Sequence, residues 1–273
     1  MLIMENKKNI TLITGATGGL GRAFCTQAIK LNHNLLICGT KEQALLSLKN
    51  ELLKLNDKVE IFTYAFNLSD KPQIDNLINF INDNNLNVQM LINNAGFITE
   101  GSIKNSSKQT LMNAIQVNCE GTIYLSKSIL DNRDINQKLN IITISSLASC
   151  YPLPYMAIYA ATKVLIKNFM LALRYEYKNE NVKVLVVQPG AIATSDDMKN
   201  AIKAQGLKGK MSCVKPEIIA KKSIKKPLKG KTNYVPGFFN KLTKFVSSLT
   251  PLSLQIKVAG KMWKKSQNKR NII

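Results

Sequence analysis

One short glycine-rich stretch near the N-terminus decides the fold. It reads Thr14-Gly15-Ala16-Thr17-Gly18-Gly19-Leu20-Gly21-Arg22. The apolar run Ile10–Thr14 precedes it and a helical pattern follows, so the glycines stand at a strand-to-helix turn. Glycines let the chain turn sharply there and let a pyrophosphate approach the backbone, where the N–H groups of the helix N-terminus bind it. The stretch therefore predicts a dinucleotide site beyond the first strand.

The rest of the chain alternates apolar runs with helical patterns. The other runs are Leu35–Cys38, Val59–Phe66, Val88–Asn93, Asn140–Ser145 and Val182–Gln188, with a weaker one at Thr232–Val235. Continuous apolar runs are typical of strands buried on both faces, and strand–helix alternation is typical of a parallel sheet. We predict an α/β fold: a doubly wound, Rossmann-type parallel sheet of about seven strands with helices on both faces.

Domain boundaries follow from the same pattern. Residues 1–235 form the predicted dinucleotide-binding and catalytic domain, with a flexible substrate lid at about 191–230. Residues 236–273 form a basic amphipathic C-terminal extension of that domain. A chain of 273 residues with 45% apolar residues is long enough to bury one sizeable core.

Cysteine usage and charge limit the class of protein. Five scattered cysteines without a C-x-x-C pair indicate a reducing compartment, and no apolar run is long enough to span a bilayer, so we expect a cytoplasmic protein. With His33 as its only histidine, the sequence shows no metal-ligand cluster. The net charge of +21 is concentrated in residues 199–273, where 19 Lys and Arg face the single acidic residue Glu217.

A second constellation lies in the middle of the chain. Tyr159-Ala160-Ala161-Thr162-Lys163 opens a helical pattern, and its four-residue spacing places Tyr159 and Lys163 on one helix face. Ser146 directly follows the run Asn140–Ser145 and is expected at the carboxyl end of that strand. Ligands of open parallel sheets bind at those strand ends.

Together these motifs resemble the short-chain dehydrogenase/reductase family, in its compact branch, over residues from about 8 to 195. The resemblance rests on the glycine stretch, Asn93-Asn94-Ala95-Gly96, Asn118, Ser146, Tyr159, Lys163, and Pro189-Gly190 followed by Thr194. The Gly18-Gly19 doublet fits two glycine spacings, so the stretch alone does not choose between subfamilies. The resemblance implies a nicotinamide-dependent enzyme that acts on CH–OH or C=O groups, assembled as a homodimer or homotetramer through helices around 110–133 and 158–179.

The resemblance also assigns roles. Tyr159 is expected to be the proton-transfer residue, Lys163 to hold the nicotinamide ribose, and Ser146 to bind the substrate oxygen. Asn118 is expected to position a water in the proton relay. An unperturbed tyrosine has a pKa of about 10, and the Lys163 ammonium together with the positive charge of an oxidised nicotinamide is expected to lower the pKa of Tyr159 toward the working pH.

The predicted cofactor is NADP(H) rather than NAD(H). The second strand ends in Cys38-Gly39-Thr40-Lys41, without the carboxylate that binds the ribose 2′-hydroxyl in NAD-preferring members. Arg22 is a candidate second cation, and Asn67 replaces an aspartate that contacts adenine in the family. The predicted cofactor contacts are Gly15, Thr17, Gly18, Gly19, Leu20, Gly21, Arg22, Gly39, Thr40, Lys41, Asn67, Leu68, Asn94, Ala95, Gly96, Tyr159, Lys163, Pro189, Gly190, Ile192 and Thr194.

The segment between Ser146 and Tyr159 is expected to wall the substrate pocket. It is apolar and aromatic, which suits a hydrophobic ketone or secondary alcohol, of hydroxysteroid or general carbonyl type. The predicted substrate contacts are Ser146, Ala148, Tyr151, Leu153, Tyr155, Met156 and Tyr159. Two alternatives stay open: a membrane-associated 3-ketoacyl reductase, and a non-catalytic NADP(H)-binding sensor or scaffold, against which the intact Ser146, Tyr159 and Lys163 argue.

The basic C-terminus predicts two amphipathic helices. The first carries Phe238, Phe239, Leu242, Phe245, Val246 and Leu249, and the second carries Leu252, Ile256, Ala259 and Trp263. The apolar faces either pack on the core or a partner subunit, which is the preferred interpretation, or contact an anionic membrane. We expect no nucleic-acid binding, because the positive charge is the one feature of the sequence that favours it.

Overall fold

A parallel sheet of seven strands forms the centre of the computed structural model, which describes residues 7–270 and 272. The strands are β1 Lys8–Ile13, β2 Asn34–Gly39, β3 Ile61–Ala65, β4 Leu86–Asn93, β5 Leu139–Ile144, β6 Val182–Val187 and β7 Asn233–Tyr234. Their order in the sheet is β3-β2-β1-β4-β5-β6-β7. The predicted fold class, strand number and strand direction are confirmed.

Helices connect the strands and continue beyond the last one. They are α1 Gly19–Ile29, α2 Glu42–Leu53, α3 Lys71–Asp83, α4 Lys108–Ile115, α5 Thr122–Asn132, α6 Ala157–Glu176, α7 Asp196–Ala204, α8 Gly206–Ser212, α9 Pro216–Lys225, α10 Phe238–Leu249 and α11 Leu252–Asn268. A six-residue π-helical segment, Gln116–Gly121, joins α4 to α5. Local sequence explains several starts: α3 begins after Asp70, whose carboxylate accepts a hydrogen bond from the Gln73 backbone N–H.

Both faces of the sheet are buried under helices. Alternate residues of one strand enter opposite cores: Ile37 packs toward α1, α2 and α9, whereas Leu36 packs toward α3, α5 and α6. This is why the strands read as unbroken apolar runs. Part of the region 191–230, predicted as a flexible lid, belongs to the hydrophobic core: α9 buries Ile219 and Ala220 in the same cluster as Phe24 of α1.

The strand order reverses at β1. The chain leaves β1 toward β2 on one side, and β4 pairs with β1 on the other. At such a switch point the connecting loops diverge and open a crevice at the carboxyl ends of the strands. The glycine stretch follows β1, and Asn93-Asn94-Ala95-Gly96 ends β4, so both motifs face this crevice.

The two C-terminal helices contact the body differently. In α11, Ala259 is buried and Trp263 packs beside it against Leu153 and Met156, as the preferred interpretation expects. In α10 the expectation of packing on the core is wrong, because Phe238 is 82% exposed and polar side chains occupy the inner face. Within the described residues, no helix combines the length and hydropathy needed to cross a bilayer.

Candidate active site

The glycine stretch forms a tight turn that side chains would disrupt. Gly15 has a φ of +62°, in the left-handed region that favours glycine, and a Cβ there would lie 2.9 Å from the Ala95 Cα. A Cβ on Gly21 would overlap the Gly15 carbonyl oxygen, and one on Gly19 would lie 2.6 Å from the Thr194 Cβ. These glycines are therefore required by close approach of backbone and side chain.

A hydrogen-bonded clamp from the end of β4 holds this turn. The Thr14 hydroxyl accepts hydrogen bonds from the backbone N–H groups of Asn94 and Ala95, each at 3.1 Å. The Asn94 side-chain amide donates in return to the carbonyls of Thr14 and Gly15, both at 3.0 Å. In this structure the Asn93–Gly96 motif thus shapes the glycine turn, and its expected contact with the adenosine ribose stays a prediction.

The turn and the start of α1 fit a dinucleotide. Gly18 precedes α1 without a side-chain cap, so the N–H groups of the first helical turn have no side-chain acceptor. A Cβ on Gly18 would contact only the Gly15 carbonyl, at 3.5 Å, and one on Gly39 would make ordinary contacts with Leu45 and Thr17, at 3.5 Å or more. Free N–H groups at a helix N-terminus with an unobstructed approach suit a pyrophosphate.

Ser146, Tyr159 and Lys163 come together at the carboxyl end of β5. The Ser146 hydroxyl forms a hydrogen bond with the Tyr159 side chain. The Lys163 Nζ lies 5.8 Å from the centre of the Tyr159 ring and donates to the Ile144 carbonyl at 3.1 Å. A Cβ on Gly96 would lie 3.4 Å from both Lys163 Nζ and Asn118 Oδ1, so these two polar atoms converge beside the β4 loop.

Asn118 sits in the π-helical segment with its amide largely committed. Its Oδ1 accepts from the Phe97 N–H at 2.7 Å, and its Nδ2 donates to the Phe97 carbonyl and the Thr162 hydroxyl. Both amide hydrogens are therefore used, and only one lone pair of Oδ1 is left for a water. The role of Asn118 in a water relay stays a prediction. In this structure its hydrogen bonds join Phe97, in the loop after β4, to Thr162 of α6.

The acid–base properties differ from the sequence expectation. Burial raises the pKa of Tyr159 above its ordinary value, the Ser146 hydrogen bond opposes this rise, and the charge of Glu100 adds to it. Burial also lowers the pKa of Lys163 to about 8. The expected lowering of the Tyr159 pKa is absent in the cofactor-free chain, because desolvation of the phenolate outweighs the neighbouring hydrogen bond.

The adenine end of the crevice is partly occupied by internal contacts. The Asn67 Oδ1 accepts hydrogen bonds from the N–H and hydroxyl of Ser69, so accepting a third from the adenine amino group requires one of them to be released. Arg22, the candidate second cation, donates to Glu51 at 2.6 Å and to the Thr17 carbonyl. Lys41 is exposed at the start of α2.

Most of the residues predicted to wall the substrate pocket lie together, but they pack against α11. Ala148, Leu153 and Met156 are buried in one cluster with Ala259 of α11, and Tyr151, Tyr159 and Trp263 pack on that cluster. Tyr155 lies outside this cluster; it has a φ of +67° and its carbonyl accepts from the Gln267 side chain. An open cleft of about 1130 Å³ adjoins Thr194, and its lining includes Ile98, Glu100, Lys203, Lys269 and Arg270.

Comparison with known sequences decides the family. The family profile described as short chain dehydrogenase matches residues 9–205. The chain belongs to the short-chain dehydrogenase family. The match confirms the resemblance drawn from the motifs.

Curated relatives cover most of this short-chain dehydrogenase at moderate identity. Dehydrogenase/reductase SDR family member 7B of Xenopus tropicalis is 30% identical over 201 residues, which cover 72% of this chain and 65% of that protein. The NADP-dependent 3-hydroxy acid dehydrogenase YdfG of Escherichia coli is 26% identical over 188 residues, covering 68% of this chain and 74% of that protein. The chain thus spans slightly less than two thirds of the SDR family member 7B proteins.

Solved structures share the fold over nearly the whole chain. A 7β-hydroxysteroid dehydrogenase superposes with a TM-score of 0.82 at 20% identity, covering 95% of this chain and 100% of that one. An actinorhodin polyketide ketoreductase with NADPH gives a TM-score of 0.75 at 21% identity, covering 84% and 96%. At these identities the likeness concerns the fold.

Two contacts of this short-chain dehydrogenase were missed by the sequence analysis. Arg270 forms an ion pair with Glu100, in which both side chains are largely buried, and the Gln267 amide binds the Tyr155 carbonyl at 3.0 Å. Both contacts tie the end of α11 to the loops that flank Tyr159. No local pattern marks them, because the partners are 170 and 112 residues apart in the chain.

The buried Lys163 makes stability depend on pH. Its pKa is about 8 in the folded chain against an ordinary 10.5, so the folded state binds fewer protons between these values and stability rises with pH there. We expect the free energy of unfolding of the wild type to rise by about 3 kcal/mol relative to Lys163→Met between pH 7 and pH 10.5. Denaturant unfolding without cofactor measures this, with the exposed Lys138→Met as control. Equal pH slopes for wild type and Lys163→Met would contradict the burial argument.

Proposed function

We propose that this short-chain dehydrogenase is an NADP(H)-dependent oxidoreductase that interconverts a hydrophobic ketone and a secondary alcohol. One observation carries the proposal: Tyr159 is hydrogen-bonded to Ser146 beside the Lys163 ammonium, at the strand ends next to an open glycine turn. A proton donor, an oxygen-binding hydroxyl and a cation in one crevice are what carbonyl reduction requires of a protein.

In this proposal the chain's own residues manage the proton. The bound nicotinamide supplies or accepts a hydride. Burial keeps Tyr159 protonated, so its hydroxyl can donate a proton to the substrate oxygen in the reductive direction. Ser146 donates a hydrogen bond to the same oxygen, and the Lys163 ammonium compensates the phenolate that forms. The catalytic assignments are Ser146, Tyr159 and Lys163, with Asn118 holding the adjacent loop.

Preference for NADP(H) is supported by the end of β2. A Cβ on Gly39 would make only ordinary van der Waals contacts, Thr40 and Lys41 are exposed, and Lys41 stands between the end of β2 and the nearest carboxylate along the chain, Glu42. YdfG is described as NADP-dependent, and the actinorhodin ketoreductase structure holds NADPH. Arg22 contributes only if it leaves Glu51, which makes Lys41 the better candidate for the phosphate.

A hydrophobic substrate is supported by Tyr151 and Trp263, partly exposed aromatic side chains that pack on the same apolar cluster as Tyr159. An oxosteroid or another bulky ketone fits such a wall. A second candidate, a 3-ketoacyl substrate, is favoured by Lys203 and Lys269 on the cleft lining, since cations there would bind anionic groups of an acyl carrier.

A substrate panel tests the function. We expect NADPH oxidation with oxosteroids or other bulky ketones and little with short aldehydes, because only large apolar substrates cover the exposed parts of Tyr151 and Trp263. 3-Ketoacyl thioesters form the second arm, and turnover confined to them would favour the second candidate. NADPH binding without turnover of any carbonyl would contradict an enzymatic function and favour a sensor or scaffold.

The cofactor arm compares NADPH with NADH. Replacing Lys41 by glutamine is expected to weaken NADPH binding by about tenfold and to leave NADH binding nearly unchanged, because one charge-assisted contact is lost. Energy transfer from Trp263, the single tryptophan, to the nicotinamide measures both affinities. Lys58→Gln, an equally exposed lysine away from the crevice, serves as the control.

We also propose a homodimer or homotetramer through α4, α5 and α6. Met112 of α4 and Leu165 of α6 are large apolar side chains that are about half exposed on these helices. Burying them against a second copy would remove apolar surface from water.

A further inference from the structure

Helix α10 is amphipathic, but its polar face packs on the body of the protein and its apolar face is exposed. Its polar side chains face the body: Asn240 donates to the carbonyls of Ser212 and Pro236, and Lys244 donates to the Gln188 side chain at 2.9 Å. Its apolar side chains face outward. Phe238, Leu242, Phe245, Val246 and Leu249 are 46–82% exposed and lie within about 100° of the helix circumference.

The exposed apolar side chains continue past Pro251 into α11. In its first two turns Leu252, Leu254, Ile256 and Val258 are 40–58% exposed, with Leu252 and Ile256 on one side of the helix and Leu254 and Val258 on the other. We call the five exposed apolar side chains of α10, which share one helix face, the C-terminal apolar surface. A soluble monomer rarely leaves so many large apolar side chains contiguous and uncovered, so the surface marks an interaction site.

Cations surround the C-terminal apolar surface. Residues 238–270 contain eight Lys and Arg and no Asp or Glu. Among them Lys241 lies on the exposed side of α10, and Lys257, Lys261, Lys264 and Lys265 are exposed on α11. The occupant must therefore accept apolar side chains and supply negative charge around them.

We propose that the C-terminal apolar surface binds an anionic lipid bilayer as a peripheral contact. Phenylalanine and leucine side chains would enter the boundary between headgroups and acyl chains, and the flanking lysines would pair with anionic headgroups. The 12-residue α10 is too short to span a bilayer, so it lies in the interface plane.

Charge disfavours the other obvious occupant, a second copy of the chain. Pairing this surface with itself would bring two wholly cationic segments together, and like charges across an interface suppress association. The same cations attract an anionic bilayer. An anionic bilayer is therefore favoured over a second copy as the occupant of this surface, and the experiment below distinguishes the two.

Vesicle sedimentation tests the proposal with the full chain. We expect the protein to sediment with phosphatidylcholine vesicles that contain phosphatidylserine, weakly with pure phosphatidylcholine, and less as salt rises, because salt screens the lysines. Phe245→Glu/Leu249→Glu is expected to weaken partitioning by at least about tenfold. The milder pair Phe245→Ser/Leu249→Ser is measured beside it, in case the charged variant does not fold.

The control pair is Leu55→Glu/Ile135→Glu, which alters two side chains of matching exposure, 63% and 68% against 62% and 70%, elsewhere on the molecule. Retained vesicle binding by this pair supports the proposal. Unchanged sedimentation of both surface variants overturns it, as does absence of wild-type binding to anionic vesicles. A wild-type dimer that the surface variants convert to monomer, without vesicle binding by either, overturns it in favour of self-association.

Discussion

Replacing Tyr159 by phenylalanine is expected to lower turnover by about two to four orders of magnitude, the usual contribution of a positioned acid or base. The change removes one oxygen from a half-buried side chain and leaves the ring packed on the cluster that contains Ala148, Leu153 and Met156. NADPH affinity should change little, because the glycine turn and its clamp do not involve the Tyr159 hydroxyl. Steady-state NADPH oxidation and Trp263 energy transfer measure the two quantities.

The matched control is Tyr175→Phe, on the same helix but exposed and far along α6. It should leave turnover and cofactor binding unchanged. Turnover by Tyr159→Phe equal to that of the wild type would refute the proton-transfer role. Loss of NADPH binding in that variant would instead show that the hydroxyl shapes the cofactor site.

Replacing Gly21 by alanine should damage the glycine turn itself. The added methyl group would overlap the Gly15 carbonyl oxygen and the Ala16 backbone, neither of which is the end of a flexible side chain. We expect a loss of about 1–3 kcal/mol of stability from overpacking, together with loss of NADPH binding as the turn opens. Thermal unfolding without cofactor and Trp263 energy transfer measure the two effects.

Gly18→Ala separates this steric effect from a general preference for glycine. Gly18 has an ordinary φ of −72°, and its Cβ would meet only the Gly15 carbonyl at 3.5 Å. Its melting temperature without cofactor should therefore match that of the wild type. Equal destabilisation by both substitutions would show that loss of backbone freedom, rather than the clash at Gly21, is responsible.

Local sequence was enough to predict the sheet and the convergence of Ser146, Tyr159 and Lys163. Strands buried on both faces must be apolar throughout, so the seven runs were visible without tertiary information. Tyr159 and Lys163 are one helical turn apart, and Ser146 follows β5 directly, so their convergence follows from helix geometry and strand direction. Spacing alone could not show that burial raises the Tyr159 pKa, because desolvation depends on the packing of the whole crevice.

The hydrogen-bond partners that candidate cofactor-binding residues have inside the chain could not be predicted from the sequence. Arg22 is bound to Glu51 and Asn67 to Ser69, so two expected cofactor contacts compete with contacts inside the chain. The pocket wall around Leu153 was predicted as a wall, but its packing partner, Trp263 on α11, was not. Such pairs join distant segments, and only the folded arrangement brings them within reach.

The position of Tyr159 follows from local sequence, whereas the orientation of the C-terminal helices depends on tertiary packing. The sequence determined the family, the doubly wound sheet, the glycine turn and the Ser146, Tyr159 and Lys163 set, because strand and helix periodicity and short spacings are local properties. It also showed that α10 is amphipathic. The direction of its apolar face was decided by tertiary structure: Asn240 donates to the Ser212 carbonyl and Lys244 to the Gln188 side chain, which turns Phe245 and Leu249 to the outside. Periodicity records that a helix has two faces, and only packing decides which of them is covered.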